Sequence, residues 1–307
     1  MQISGVHRRA QRAVEWPTLG IAAGLYGAFG LLTWNYAMLP WWVVMPLGAY
    51  LVCLHGSLQH EVVHGHPTRW GWVNAAVVFP SLWLWLPHSL YRNSHLAHHR
   101  DERLTDPLQD PESSYVTAER WAAMGPLHRA ARRAMMTVAG RLLLGPAYFV
   151  GQKALRLLRA IWSGDRAYLA HWPLHLLSVA LVLGWVVGVC GIPFGEYVLL
   201  FAYPGLSLTL LRSFAEHRAA DSPGHRTAVV ESGPVFALMF LNNNLHVLHH
   251  VQPGIPWYAL PGVYRQNRDR LLAGNGGYFF RGYREIFRRF LLRPRGSPVH
   301  PLAGSPG

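Results

Sequence analysis

The sequence predicts an all-α integral membrane protein: four transmembrane helices with a helical cap on the cytoplasmic side. Three observations carry that expectation. Only 14% of the 307 residues are charged and 51% are hydrophobic, whereas soluble domains average about 25% charged residues. Four stretches, roughly 17–35, 41–59, 172–192 and 195–212, are apolar enough to cross a bilayer, which takes about 20 residues. The cations also divide by side. All 28 Lys and Arg fall within 8–12, 69–166 or 212–295, and the turns "NYAMLP" and "GIPFGE" that join the paired stretches hold none. The positive-inside rule then places both termini and the large middle loop in the cytoplasm.

Taken in order, the N-terminal "MQISGVHRRAQRAVEWP" leads into the first apolar run without a small-residue cleavage site, so the run reads as a span rather than a signal peptide. The second span runs into "SLQHEVVHGHP". The apolar stretch 70–87, "WGWVNAAVVFPSLWLWLP", is shorter and interrupted by Pro80. A full crossing there would carry the basic loop outside, so it is expected as an interfacial or re-entrant helix. Residues 119–163 set Arg120, Arg129, Arg132, Arg133, Arg141, Lys153, Arg156 and Arg159 among Leu, Ala and Met, the pattern of a helix lying on the membrane surface. Thirteen Trp and thirteen Tyr supply interfacial aromatics. Residues 1–295 are expected as one domain and 296–307 as a disordered tail, with His300 there by chance. Cys53 and Cys190 lie in apolar segments and read as small core residues. The net charge of +13 follows from the sidedness of the cations, so no nucleic-acid partner is expected.

The 18 histidines are not scattered. His60 and His64 stand at i, i+4, on one side of a helix continuing from the second span. "NSHLAHHRDE" gives His95, His98 and His99 as H-x-x-H-H, and "NNNLHVLHHVQP" repeats the pattern with His246, His249 and His250. His60-Glu61-x-x-His64 read alone is the zinc-protease signature, with Glu61 as base. A catalytic zinc needs three protein ligands, whereas eight box histidines suffice for two metal ions. Imidazole suits Zn, Cu, Fe and Ni alike, so the ligands alone do not name the metal.

The boxes "HEVVH", "HLAHH" and "HVLHH", set between two pairs of spans, resemble the integral-membrane fatty acid desaturase and hydroxylase superfamily over about residues 40 to 260. "HSLYRNSHLAHHRDERLTDPLQDPES" and "HHVQPGIPWYALP" also resemble bacterial fatty acid desaturases and hydrocarbon oxygenases. The resemblance implies a di-iron centre, two iron ions on a histidine cage in the cytoplasmic cap, that activates O2 as co-substrate. It implies a lipidic substrate, a separate electron donor of ferredoxin or rubredoxin type with its reductase, and a bacterial inner membrane. It also implies a further histidine after the fourth span, where "LRSFAEHR" places His217. Ser213 stands where stearoyl-CoA desaturases have an Asn.

In such a cage, carboxylates orient ligand histidines through the ring nitrogen not bound to metal. Glu61, Asp106, Glu216 and Asn242 are the candidates for that outer role. Asp101 and Asp110 read more simply as salt-bridge partners, and Asn243 and Asn244 share Asn242's alternative as helix caps. His55, His66 and His88 flank the boxes without completing a pattern, and His128, His171, His175 and His225 read as interfacial.

Three functions from different classes remain at this stage. The first is an O2-dependent di-iron oxidoreductase that desaturates, or hydroxylates, an acyl chain or hydrocarbon. The second is an intramembrane zinc peptidase, which leaves six box histidines idle. The third is a metal transporter or sensor, which would want its ligands near mid-bilayer.

Overall fold

A computed structural model of the chain describes residues 14–100 and 103–301 and is mostly helical. The described chain divides into two compact units. One holds everything up to Arg92 together with Pro146–Thr209; the other holds Asn93–Gly145 and everything from Leu210 onward.

The first, the span unit, is built on α1 (Trp16–Trp34) and α2 (Trp41–Val63). Among the described residues, three helices are long and apolar enough to cross a membrane: Trp41–Val63, Arg166–Val189 and Phe194–Glu216. At 1.5 Å per residue, 23 residues reach about 35 Å, which exceeds a hydrocarbon core of about 30 Å. The expectation of four spans is met by three. Helix α1 forms as expected, but Gly20, Gly24, Gly27 and Gly30 with terminal Trp and Thr dilute its apolar character.

Close approach is made possible by two glycines. A Cβ at Gly48 would lie 2.5 Å from the Phe201 ring, and one at Gly205 would lie 2.5 Å from Val52. Phe29, Tyr197 and Phe201 form the aromatic centre of this packing, with ring centroids 5.3 to 6.3 Å apart. The two cation-free turns meet: the Tyr36 hydroxyl donates to the Glu196 carboxylate, and Trp185 donates from Nε1 to Thr33 Oγ1 at 2.9 Å. Both cysteines are free.

The stretch 70–87 departs from expectation. Only α3 (Gly71–Val77) is helical; from Val78 to Pro87 the chain is irregular. Pro80 cannot continue a helix, and the segment instead buries Leu82, Trp83, Trp85 and Leu86. Trp83 Nε1 donates to the Val52 carbonyl at 3.3 Å, and the Ser81 amide donates to Ser178 Oγ. At its end, His88 opens α4 (His88–His98).

In the second, the histidine unit, the stretch 119–163 begins not as one surface helix but as a chain of short ones. Ala118–Ala123, Pro126–Ala134 and Val138–Leu143 precede the longer Gly145–Ser163. Thr117 and Thr137 cap two of them by accepting from the Arg120 and Gly140 amides, and Pro126 starts another. Helix Gly145–Ser163, which belongs to the span unit from Pro146 onward, exposes Leu155, Leu158, Ile161 and Trp162 beside its basic residues. The unit's core gathers Val229, Leu245, Leu248, Leu260, Tyr264 and Leu271. Around it, strand Val229–Val230 pairs in parallel with Phe279–Phe280.

The tail expected to be disordered is partly ordered. Val299 bridges to Val116, and the His300 amide donates to the Val116 carbonyl. His300 Nε2 lies 3.2 Å from Thr105 Oγ1, burying the ring.

Candidate metal centre

The histidine unit brings its ligand residues together from three segments: α4 and the residue after it, the end of helix Tyr203–Glu216, and helix His246–Val251. His98, His217, His246 and His250 place one ring nitrogen each within 4.8 Å of all the others, an arrangement that can hold a metal ion. His98 Nε2 and His246 Nε2 both lie 3.0 Å from His217 Nε2. Beside them, His95 Nε2 and His249 Nε2 both lie 3.0 Å from His99 Nε2. His99 and His250 stack at 4.4 Å, so the two groups adjoin. In the span unit, His60 and His64 stand ring to ring at 5.0 Å at the end of α2.

The H-x-x-H-H spacing explains the sorting. Residues four apart share a helix face and the residue three along leans to its side. His246 and His250 therefore join one group while His249 joins the other. In the second box the pattern is the same: His95 and His99 go together and His98 goes to the neighbouring group.

Carboxylates and amides set the ring orientation. His98 Nδ1 lies 2.9 Å from Asp110 Oδ1 and His95 Nδ1 lies 3.2 Å from Glu112 Oε2. His246 Nδ1 lies 2.9 Å from Asn243 Oδ1 and 3.4 Å from Glu216, which is ion-paired to Arg212. With the proton on Nδ1, His246 turns a bare Nε2 lone pair toward His217; His98, held protonated at neutral pH by its carboxylate neighbours, would offer its own Nε2 lone pair when a cation displaces that proton. Lone pairs converging at 3.0 Å suit a cation. Imidazole–metal bonds of about 2.1 Å at right angles put neighbouring nitrogens about 3.0 Å apart.

Electrostatics follow the same wiring. Burial and the adjoining imidazoles hold His217 and His246 well below the ordinary range, so their lone pairs are free. Burial depresses His95 as well, against the pull of Glu112. Burial also opposes charge on His98, but Asp110, Glu112 and Glu216 outweigh it and raise the ring to about 9. Glu112, its side chain 28% exposed, is held down to about 2 by His95, His98 and Arg212 against its partial desolvation.

Two of the expected outer residues act elsewhere. Asp106 accepts from the Leu108 and Gln109 amides; it caps the turn that presents Asp110. Asn242 sits at φ 57 and donates to the Trp257 carbonyl, and its neighbour Asn243 faces His246. Asn244 exchanges hydrogen bonds with Val230 and anchors the third box to the strand. Glu61 lies 4.0 Å from His60 Nδ1, beyond hydrogen-bond range. Ser213 returns its hydroxyl to the Leu210 carbonyl. Asp101 lies outside the described residues.

The sequence reading missed Glu112 as a histidine partner, and it missed Arg295. Glu112 follows the second box in a Pro-containing acidic loop, a signal of position but not of direction. Arg295 donates to the His217 carbonyl and to Tyr278 Oη, both at 2.5 Å, and so fixes the backbone of that histidine. His66 pairs with Glu15 at 2.7 Å. His171 and His175 bond into the segment 84–89.

A family model for Fatty acid desaturase matches residues 36–282. That is most of the chain, which therefore belongs to this family. The family indicates an oxidoreductase acting on fatty acids, and the three apolar helices indicate an integral membrane protein. No curated protein matches the chain.

Proposed function

We propose that the chain is an O2-dependent di-iron membrane oxidoreductase that desaturates, or hydroxylates, an unactivated C–H position of a fatty acyl chain or related lipidic substrate. The observation that carries this is the pair of adjoining imidazole groups in the histidine unit, each built on a central ring with two Nε2 neighbours at 3.0 Å. His98, His217, His246 and His250 would hold one iron. His95, His99 and His249 would hold the other, with His60 and His64 from α2 completing its set. The irons would supply O2 activation.

The residues of this chain have separate tasks. Asp110, Glu112 and Asn243 hold Nδ1 protons on three ligands and so present Nε2 to the metal. Arg295 fixes the His217 backbone. Glu61, 4.0 Å from His60, would belong to the outer surround of that ligand rather than act as a hydrolytic base. A one-zinc peptidase would use three ligands and leave the carboxylate-backed histidines without a task.

Helix α1 would make the fourth span. The meeting of the two cation-free turns through Tyr36 and Glu196 supports this arrangement, with both termini and the histidines on the cytoplasmic face of a bacterial inner membrane. Electrons would come from a separate acidic ferredoxin or rubredoxin with its reductase, docking on the basic surface; turnover insensitive to ionic strength would exclude that. Metal analysis of purified protein, with lipid mass analysis of expressing cells against a His249→Ala control, tests the whole reading. Expected are about two irons per chain and products lighter by two hydrogens or heavier by one oxygen. A single zinc with peptidase activity would overturn it.

A further inference from the structure

Within the span unit, one buried polar group has no task in the chemistry above. His55 and Gln59 stand at i, i+4 on α2, so they share a helix face, and neither is exposed to solvent. Both amide atoms of Gln59 and Nε2 of His88 have no hydrogen-bond partner, whereas the His55 ring is bonded to the Val78 and Pro80 backbone. The three belong together: His55 lies beside His88, and the His88 ring lies by the Gln59 backbone. The surrounding wall is aromatic. Tyr26 meets His55 edge-on at 6.1 Å while its hydroxyl donates to the Pro80 carbonyl. Trp83 fits against Gly56, where a Cβ would approach the indole to 2.2 Å.

Native proteins leave few buried polar atoms unbonded, so three at one place in an apolar surround point to an occupant that bonds them. Its chemistry follows from theirs. The Gln59 amide both donates and accepts, and so does a neutral imidazole. No carboxylate or cation is among the three; Arg92, whose charge acts on His88, is exposed one turn beyond it on α4. Burial keeps His88 below the ordinary imidazole range, hence uncharged at neutral pH. Such a site bonds an uncharged oxygen and leaves a carboxylate without a counter-charge.

Position gives it a use. Gln59 immediately precedes His60, and His55 lies five residues back, about 7.5 Å along the helix. We propose that Gln59 and His88, with the His55 ring beside them, form a polar subsite that binds a hydroxyl or carbonyl oxygen on the lipidic substrate, and so select an oxygen-bearing chain over a plain one. This rests on the lipid-oxidising reading above.

Equilibrium binding to the iron-loaded, full-length protein in lipid nanodiscs tests it, with cetyl alcohol, hexadecane and palmitate as radiolabelled probes and iron content read on the same samples. Cetyl alcohol should bind at least about tenfold tighter than hexadecane, the scale of one buried hydrogen bond to an otherwise unpaired group. Gln59→Leu and His88→Phe, which lie on different elements, should each erase most of that ratio. Equal affinity for alcohol and alkane would overturn the proposal, because the polar atoms would then hold water only. So would a preference that survives both substitutions, or palmitate binding tightest, which would assign the group to a carboxylate held by Arg92. Iron without an alcohol preference would defeat this proposal and leave the di-iron reading standing. An alcohol preference in protein that cannot hold iron would do the reverse.

Discussion

The two histidine groups differ in how much of each lies within one unit. His98, His217, His246 and His250 form a closed set of four in the histidine unit. His95, His99 and His249 are three from the same unit, and we assign the remaining ligands to His60 and His64 at the end of α2. The groups also interleave in sequence, since 98 and 99, and 249 and 250, are neighbours serving different sets. Adjacent residues in one box therefore belong to different groups.

That interleaving gives the most severe way to test the difference. His99→Ala removes the central ring of the three-histidine group and His217→Ala the centre of the four. Each should abolish lipid oxidation and lower metal content from about two ions per chain to about one, measured by elemental analysis of purified protein. If one substitution empties both sites while the other empties none, the assignment of neighbours to separate sets is wrong. His60→Ala with His64→Ala asks the narrower question. Metal should again fall to about one ion, with the closed set still filled; unchanged content would remove α2 from the centre.

Smaller effects should come from the groups behind the rings. Asp110→Asn and Glu112→Gln each replace a carboxylate that holds a ligand proton, and such changes cost about 10- to 100-fold in metal affinity. Chelator competition should show Asp110→Asn weakening the closed set through His98, and Glu112→Gln the other through His95. Asn243→Ala should cost less than either, because Glu216 stands 3.4 Å from the same His246 nitrogen; a loss as large as that of Asp110→Asn would mean Glu216 gives no support.

How much of this was legible in the sequence depended on whether a pattern or a chain path decided it. The boxes and the apolar helices are periodic, and periodicity survives in one dimension. Pro80 marked an interruption in 70–87, but not that Trp83 would fold inward to meet α2 with Trp85 stacked on it. The basic run 119–163 reads as continuous because Arg recurs throughout, yet Gly125-Pro126 and Thr137 break it by capping chemistry. The choice between Asp106 and Asp110 was beyond sequence reading, because the turn capped by Asp106 is what aims Asp110 at His98. Asn242 and Asn243 differ likewise by the positive φ of the former, which turns its side chain to Trp257. His300 looked accidental because its partner Thr105 is remote in sequence and near only through the fold.

The smallest expected effect bears on the platform the two sets share. Strand Val229–Val230 anchors Asn244 and with it the helix bearing His246 and His249, one ligand for each set. The next residue, Glu231, accepts from Arg268 Nε at 2.6 Å and from the Tyr264 hydroxyl at 2.8 Å. Burial alone would raise its pKa, but these two donors outweigh it and hold the carboxyl below its ordinary value. A lowered folded-state value means the contribution is present above the unfolded value, about 4.3, and fades as pH falls through the folded one. The side chains are 35% and 41% exposed, so solvent screens the pair strongly. Glu231→Gln should therefore lower the thermal midpoint at neutral pH by less than about 2 °C and flatten the decline on acidification. Whatever metal affinity it costs should be lost equally from both sets; loss from one alone would show that the strand supports the third box at His246 or at His249, but not as a shared platform.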